Sequence, residues 1–373
     1  MSVSYIPETV KLQLWGRSAG RCQYRGCNHP LYRDQLTQAE FNSSYIAHII
    51  ADRPNGPRGD AVLSEKLKQD LSNLMLLCDV HHRLVDHGDV PSHPVALLRR
   101  MKAEHEELME RITDIQKSRQ THIVLFGANI GQSKFGLNYE DAAADLLPGW
   151  YPAEPRAIAL GLGNSAFEDH EPEYWKIEAD NLHRNVDKML RQRTESKEIQ
   201  NLAIFALAPQ PLLMLFGKLL GDITPAEVYA RHRNPPGWKW PQNGAGVDFV
   251  VKRPDSFDGP PALIVGLSAD VHPDRIHAAL GEKATIWTLT IDQPFNDFLK
   301  AQGDLAKFRQ AGQKLFNEIK LRHGQDTLLH VFPVMPAALA VEFGRCLMPK
   351  ADMRMRLYDQ NRKTRGFHEA LDI

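Results

Sequence analysis

Three of the chain's four cysteines lie within its first 80 residues. Cys22 and Cys27 form a C-x4-C pair, Cys78 opens the stretch L-C-D-V-H-H with His81 and His82, and A-H-I around His48 lies between them. A structural Zn2+ takes four sulfur or nitrogen ligands in a tetrahedron, and two short-spaced pairs supply them from tight turns. Cys22, Cys27, Cys78 and His81 make such a set and leave only Cys346 outside it. A disulfide framework is disfavoured, because the cysteines are few for a chain of this length. The N-terminal M-S-V-S-Y-I-P-E-T lacks the charged-then-apolar pattern of a secretory signal, which points to a cytoplasmic protein.

His82 follows the last zinc ligand directly, so its imidazole projects away from the zinc while being held by it. That is a prepared position for a second metal ion. Upstream, S-S-Y-I-A-H-I-I-A reads as a short strand carrying His48; downstream, L-S-N-L-M-L-L-C carries Asn73 just ahead of Cys78. The order His, Asn, His around a zinc knuckle resembles the HNH endonuclease family and its ββα-metal fold. The resemblance implies that His48 is the general base that activates water against a phosphodiester. It further implies that Asn73 fixes the geometry of the loop and base, and that His82 binds a catalytic divalent cation, with Mg2+ expected. The chemistry agrees: a neutral imidazole takes a proton near pH 7, and a hard divalent ion stabilises charge on the phosphate and leaving oxygen. Many members carry an acidic metal ligand immediately before the first histidine, where this chain has Ala47. Asp52, Asp60, Asp86 and His87 are the nearby replacements, and the sequence leaves the choice among them open.

The elements that must hold these residues follow from the surrounding pattern. Asp52 to Asp60 (D-R-P-N-G-P-R-G-D) is a surface loop, since Pro and Gly interrupt helix and strand alike. Its Arg53 and Arg58 are open to phosphate contacts or to internal ion pairs. Next comes an amphipathic helix of roughly 20 residues, with Leu98, Met101, His105, Leu108, Ile112 and Ile115 as its packing stripe. K-S-R-Q-T then reads as a linker, and we set the domains at 1–118 and 119–373.

The second region is of another kind. H-I-V-L-F, R-A-I-A-L-G-L, N-L-A-I-F-A-L-A, G-V-D-F-V-V, A-L-I-V-G-L-S, A-T-I-W-T-L-T and T-L-L-H-V-F are apolar runs separated by helical stretches, the pattern of an α/β fold with buried, largely parallel strands. No apolar run approaches the ~18 residues of a membrane span, so no membrane partner is expected. G-L-G-N-S near Gly161 is only a weak phosphate-loop echo. Ligands of open α/β sheets bind beyond the carboxyl ends of strands. Here those ends are A-P-Q-P-L after Leu207, S-A-D-V-H-P after Leu267 and F-P-V-M-P after Val331.

F-A-L-A-P-Q-P-L-L-M-L-F-G, Y-A-R-H-R-N-P-P-G-W-K-W, G-L-S-A-D-V, P-F-N-D-F-L and H-V-F-P-V-M-P-A-A-L-A-V-E-F-G-R, in this order, resemble a SAVED domain, a fusion of two Rossmann-like, CARF-like halves. An HNH module followed by SAVED is the layout of the HNH-SAVED effectors of CBASS anti-phage systems. The resemblance implies a DNA endonuclease, acting on double-stranded DNA, switched on by a cyclic di- or trinucleotide. Such a ligand calls for stacking surfaces, cationic or amide donors and close backbone approach. Arg231, Arg233, Trp238 and Trp240 share one Pro-rich loop; Pro209, Pro211, Ser268, Phe332, Pro333, Met335 and Pro336 stand at the strand ends. A helix from Ala337 to Cys346 would turn its amino end to a phosphate.

With 45 basic and 46 acidic residues the chain does not coat DNA by bulk charge. Ligand-driven self-association, from dimer to tetramer, would concentrate its cations and give cuts on both strands. Two other classes stay open: a restriction-type nuclease whose C-terminal domain reads DNA, and a non-catalytic nucleotide sensor.

Overall fold

The computed structural model describes residues 5–34, 36–113, 117–130, 136–162, 165–221, 225–348, 350–360, 363 and 366–373. It divides into two units, Met1–Gln116 and Lys117–Ile373.

In the first unit α1 (Glu8–Ser18) ends in a left-handed turn at Ala19 and Gly20, which leads into the segment holding Cys22 and Cys27. β1 (Tyr45–His48), α2 (Leu63–Leu67), β2 (Leu74–Leu77), α3 (Asp79–Arg83), a π turn (Leu84–Gly88) and α4 (Val95–Thr113) follow. β1 and β2 pair antiparallel, with Tyr45 opposite Leu77 and His48 opposite Leu74. The run L-M-L-L is apolar on both faces, so β2 is buried throughout, in one cluster with Leu14, Ile49, Leu98 and Met101. Ala47, 3% exposed, belongs to the same cluster.

The stripe expected on α4 is only half right. Leu98 and Met101 are buried, but Leu108 and Ile112 are exposed, while Lys102 and Met109 are buried instead. An α-helix advances 3.6 residues per turn, which carries the inward line from Leu98 through Lys102 and His105 to Met109. Lys102 lays its stem along the core and pairs its ammonium with Glu106. Ile115 lies outside the described residues.

The second unit opens with β3 (Gln120–Gly127), α5 (Tyr139–Leu146), β4 (Tyr151–Pro152), β5 (Ile158–Ala159), α6 (Pro172–Asn185), α7 (Gln192–Glu195), β6 (Leu202–Leu207), α8 (Gln210–Leu220) and β7 (Ala226–Tyr229). Its strands form a parallel sheet in the order β4-β3-β6-β7, with β5 also on β3. A small hairpin, β8 (His232–Arg233) with β9 (Pro236–Gly237), comes next. Then follow β10 (Val250–Lys252), β11 (Pro261–Gly266), α9 (Asp274–Leu280), β12 (Thr285–Thr290), α10 (Gly303–His323), β13 (Leu329–Val334), α11 (Ala337–Arg345), β14 (Met355–Gln360) and β15 (Phe367–Asp372). The second sheet runs β10-β12-β11-β13-β14-β15, parallel through its centre and antiparallel where β10 and β15 close its edges.

The two halves repeat one device. β6 leads through Pro209 into α8, and β13 leads through Pro336 into α11; each proline caps its helix in an extended conformation. Eight residues on stand Gly217 and Gly344, each preceded by phenylalanine. A Cβ on Gly217 would collide with the Val341 carbonyl, and one on Gly344 with the Met214 carbonyl. Reciprocal glycines thus let two helix backbones touch.

Candidate functional site

The N-terminal donors converge. The Sγ atoms of Cys22, Cys27 and Cys78 and a ring nitrogen of His81 all lie within 4.8 Å of one another, the one such cluster of three or more among the described residues. The chain folds this way because Cys22 N–H bonds His29 O and Cys27 N–H bonds Tyr24 O, which closes one turn. Cys78 caps α3, and His81 follows within the first turn of that helix. His81 Nδ1 is 3.7 Å from Cys22 Sγ and 3.1 Å from Cys78 Sγ. Ligands about 2.0–2.3 Å from a shared zinc stand roughly 3.5 Å apart, so the donor set fits the ion in both chemistry and spacing. Burial pushes the Cys22 and Cys27 thiols up, a cost that a bound cation reverses by stabilising thiolate. Tyr24 stacks on His81 at 4.1 Å and donates its hydroxyl to His93 Nε2 at 2.9 Å. His93 Nδ1 is committed to Asp89 O, which fixes that tautomer.

His48 ends β1 and is 7% exposed. Its Nε2 lies 2.9 Å from Lys68 O, and a carbonyl partner requires the proton on Nε2, which leaves Nδ1 as the basic nitrogen. Asn73 is fully buried. Its Oδ1 accepts from Ile50 N–H at 2.9 Å, and its Nδ2 donates to Ile50 O at 2.8 Å and to Leu67 O at 3.3 Å. The side chain therefore acts as one more strand residue, clipping the chain just beyond His48. His82, on α3, stacks on Tyr45 at 4.8 Å, and burial pulls its pKa below the ordinary value against the opposing pull of Asp86.

The candidate acids separate. Asp60 is exposed and spends Oδ1 on the N–H groups of Val62 and Leu63, which hold its carboxyl below the usual range. Asp52 is half-buried in the bend after β1, and His87 is exposed in the π turn. Asp86 reaches the cluster, with Oδ2 3.4 Å from His82 Nε2 and Oδ1 2.7 Å from Arg58 Nη2. Arg58 is not free for a phosphate: its guanidinium is buried and also donates to Ile49 O, His48 O and Val85 O. It fastens the end of β1 to the π turn.

In the second unit a cavity of about 230 Å³ opens where β6, β7, β11 and β13 end, lined by Leu207, Arg231, Arg233, Ser268, Met335 and Pro336 among others. These are the carboxyl ends of parallel strands, as open α/β sheets favour. Ala337 and Ala338, the first turn of α11, also line it, and the first turn of a helix carries backbone amides without intrahelical partners. Pro209 caps α8, and Gln210 beside it accepts from Met335 N–H through Oε1. Pro211 is buried in the first turn of α8.

Like Pro209 and Pro211, four more of the expected ligand contacts are not among the residues lining this cavity. Trp238 is 3% exposed and edge-on to Phe205 at 5.3 Å, while Trp240 sits against His232 at 5.2 Å. Both pin their loop to the core, although Arg231 still rides over Trp238 at 5.4 Å. Phe332 is fully buried and stacked on Tyr358 at 4.3 Å. Pro333 is next to the last residue of β13, beyond the last residue paired with β14, where its missing N–H leaves no gap in that ladder. Asn296 and Asp297 also line the cavity. Asp297 takes Arg233 N–H and Lys300 Nζ; burial raises its pKa, and these two partners outweigh burial and lower it. The signal was there in P-F-N-D-F-L, as an Asn-Asp pair after a strand.

Residues 182–373 match the family described as the SAVED, or SMODS-associated and fused to various effectors, sensor domain. The chain belongs to the SAVED family. No curated protein matches it. Among solved structures it is similar to the Acinetobacter baumannii Cap4 SAVED/CARF-domain containing receptor with the cyclic trinucleotide 2'3'3'-cAAA, at 11% identity and TM-score 0.45, covering 74% of this chain and 61% of that one. The same receptor with 3'3'3'-cAAA gives 10%, 0.45, 84% and 66%. The Moraxella osloensis Cap4 receptor gives 10%, 0.39, 76% and 63%. The chain thus spans between 61% and 66% of the length of these proteins, and the family assignment rests on the SAVED match. Every lining residue of the cavity lies within the SAVED stretch. β3 lies ahead of it yet pairs with β6, and β5 pairs with β3, so the sheet that holds β6 includes strands upstream of residue 182. Among the described residues no helix is long and apolar enough to cross a membrane.

Proposed function

We propose that this chain is a metal-dependent DNA endonuclease of HNH type, idle until its SAVED domain binds a cyclic di- or trinucleotide, and that it serves anti-phage defence of the CBASS kind. The observation that carries the reading is the Asn73 clip. It joins the end of the His48 strand to the strand entering the knuckle, and the knuckle carries His82. Zinc bound by Cys22, Cys27, Cys78 and His81 would supply structure only. A divalent ion, Mg2+ in the first instance, held through His82 would stabilise charge on the scissile phosphate and the leaving oxygen. His48 Nδ1 takes the proton of the attacking water, and Lys68 O keeps the imidazole in that tautomer.

For the ligand, the argument is the SAVED membership together with a cavity that offers Arg231, Arg233 and the amides of α11 to phosphate. Ligand binding then drives association of protomers, from dimer to tetramer, which pairs nuclease modules on double-stranded DNA. The test is plasmid degradation across a panel of cyclic di- and trinucleotides with Mg2+, Mn2+ or Ni2+, with sedimentation run alongside. One ligand should switch on cutting and raise the mass. His48→Ala should then lower the rate by about 10²–10⁴. Cutting that survives in that variant removes His48 as the base, and activation without a change in mass removes the association step.

A further inference from the structure

The proposed nuclease site calls for a second protein ligand for its ion, and the position where the resembled family carries one cannot supply it. Ala47 is a core residue, packed with the N-terminal apolar cluster, so a carboxylate there would be buried among aliphatic side chains. We propose that Asp86 supplies this ligand, together with His82.

Three observations carry it. The first is the distance. Asp86 Oδ2 and His82 Nε2 are 3.4 Å apart, long for a charge-assisted hydrogen bond, which closes to about 2.7–2.9 Å. Two ligand atoms each about 2.1 Å from one ion, in contrast, stand roughly 3.0–3.5 Å apart. The second is the way the carboxylate is held. Arg58 binds the other oxygen, Oδ1, at 2.7 Å, as ligating carboxylates are commonly held by a hydrogen bond behind them. Oδ2 is thereby turned toward His82, while Tyr45 stacks on the His82 ring and fixes its plane.

The third is continuity with the base. The Nη2 atom of Arg58 that holds Asp86 also donates to His48 O, and its Nε to Ile49 O. The carboxylate and the strand end bearing His48 are therefore one hydrogen-bonded body. Two protein ligands leave most of the coordination sphere to water and substrate phosphate, the usual arrangement for Mg2+ at phosphoryl sites.

This inference rests on the nuclease reading but can be tested apart from it. Mn2+ would be titrated into the full-length protein, its knuckle loaded with zinc beforehand, and free Mn2+ followed by electron paramagnetic resonance. Asp86→Asn keeps an acceptor for Arg58 and should weaken Mn2+ binding by about 10- to 100-fold, and His82→Ala at least as much. Asp86→Cys should gain preference for Cd2+ over Mn2+ by tenfold or more, because a thiolate selects the softer ion, a gain that misfolding does not produce. Unchanged Mn2+ affinity in Asp86→Asn, or no gain of Cd2+ preference in Asp86→Cys, overturns the assignment and leaves the nuclease reading standing. Mn2+ binding that depends on both residues in a protein that cuts no DNA with any cyclic nucleotide sinks the nuclease reading and keeps the ligand pair.

Discussion

His48, Asn73 and His82 are held by side chains that bond backbone and by a four-donor set that belongs to the fold itself, whereas Arg231, Arg233 and Ser268 sit at the ends of strands that need no such staple. Cys22 is a member of the N-terminal apolar cluster, so the knuckle and the core of that unit are one object. In the C-terminal unit the core is built from Phe205, Phe216, Trp287, Phe308 and Phe343, all fully buried, and the cavity opens beyond it. Site and stability are therefore joined in the first unit and separable in the second.

The largest effect is expected at the knuckle. Cys78→Ser, or removal of zinc by a chelator, should unfold the N-terminal unit, since structural zinc contributes on the order of 10–16 kcal/mol of apparent binding energy to small domains at neutral pH. Calorimetry should show one transition lost and the transition of the SAVED unit kept. Loss of both would mean that the two units do not respond separately to the metal.

Trp238→Ala comes next. This indole is a core side chain packed on Phe205, while the backbone N–H of Trp238 donates to Asp145 Oδ2. Truncating it should cost about 3–5 kcal/mol of SAVED stability, read as a lower urea midpoint. A variant that keeps its stability and loses only nucleotide affinity would return Trp238 to the ligand site.

Why Trp238 was open to a ligand role from its sequence, while Cys78 was legible at once, is a matter of range. Candidate metal donors declare themselves by short spacing, as Cys22 with Cys27 and Cys78 with His81 do. The wall of the cavity is assembled from five separated segments, and whether an indole there faces ligand or core depends on what Phe205, distant in sequence, brings against it. The same holds for strands. β6, β11 and β13 are buried on both faces and read as apolar runs. β14 and β15 lie toward an edge, where Arg356 pairs with Glu369 and Asp372, and their charged residues hid them; β7, half-exposed at its start, was missed likewise. In R-A-I-A-L-G-L only Ile158 and Ala159 form a strand. Arg58, open in the sequence to phosphate or to an internal ion pair, takes the second: its guanidinium turns inward to four acceptors.

Gly217→Ala probes the contact repeated between the halves. The added methyl meets the Val341 carbonyl, part of a rigid helix backbone, so α8 and α11 must move apart. A loss of about 1–3 kcal/mol is expected, and Gly344→Ala should match it, because the collision there is with the corresponding carbonyl, Met214. Unequal losses would mean that the repeat is one of backbone shape without equal packing on its two sides.

The smallest effect is expected at Arg233. Its side chain is exposed and its backbone N–H, which survives mutation, is what Asp297 holds. Arg233→Ala should therefore leave the SAVED transition where it is and act on the ligand alone. One phosphate contact at an exposed guanidinium corresponds to roughly tenfold in affinity, about 1.4 kcal/mol, as a charged hydrogen bond partly screened by water. Screening also fixes the direction of the salt effect: the difference between wild type and variant should shrink as ionic strength rises, because the Debye length falls from about 10 Å at 0.1 M to about 3 Å at 1 M. Calorimetric titration with the activating nucleotide at two salt concentrations checks both. A loss independent of salt would mean that Arg233 shapes the cavity wall through Asp297 and Lys300 instead of meeting the phosphate.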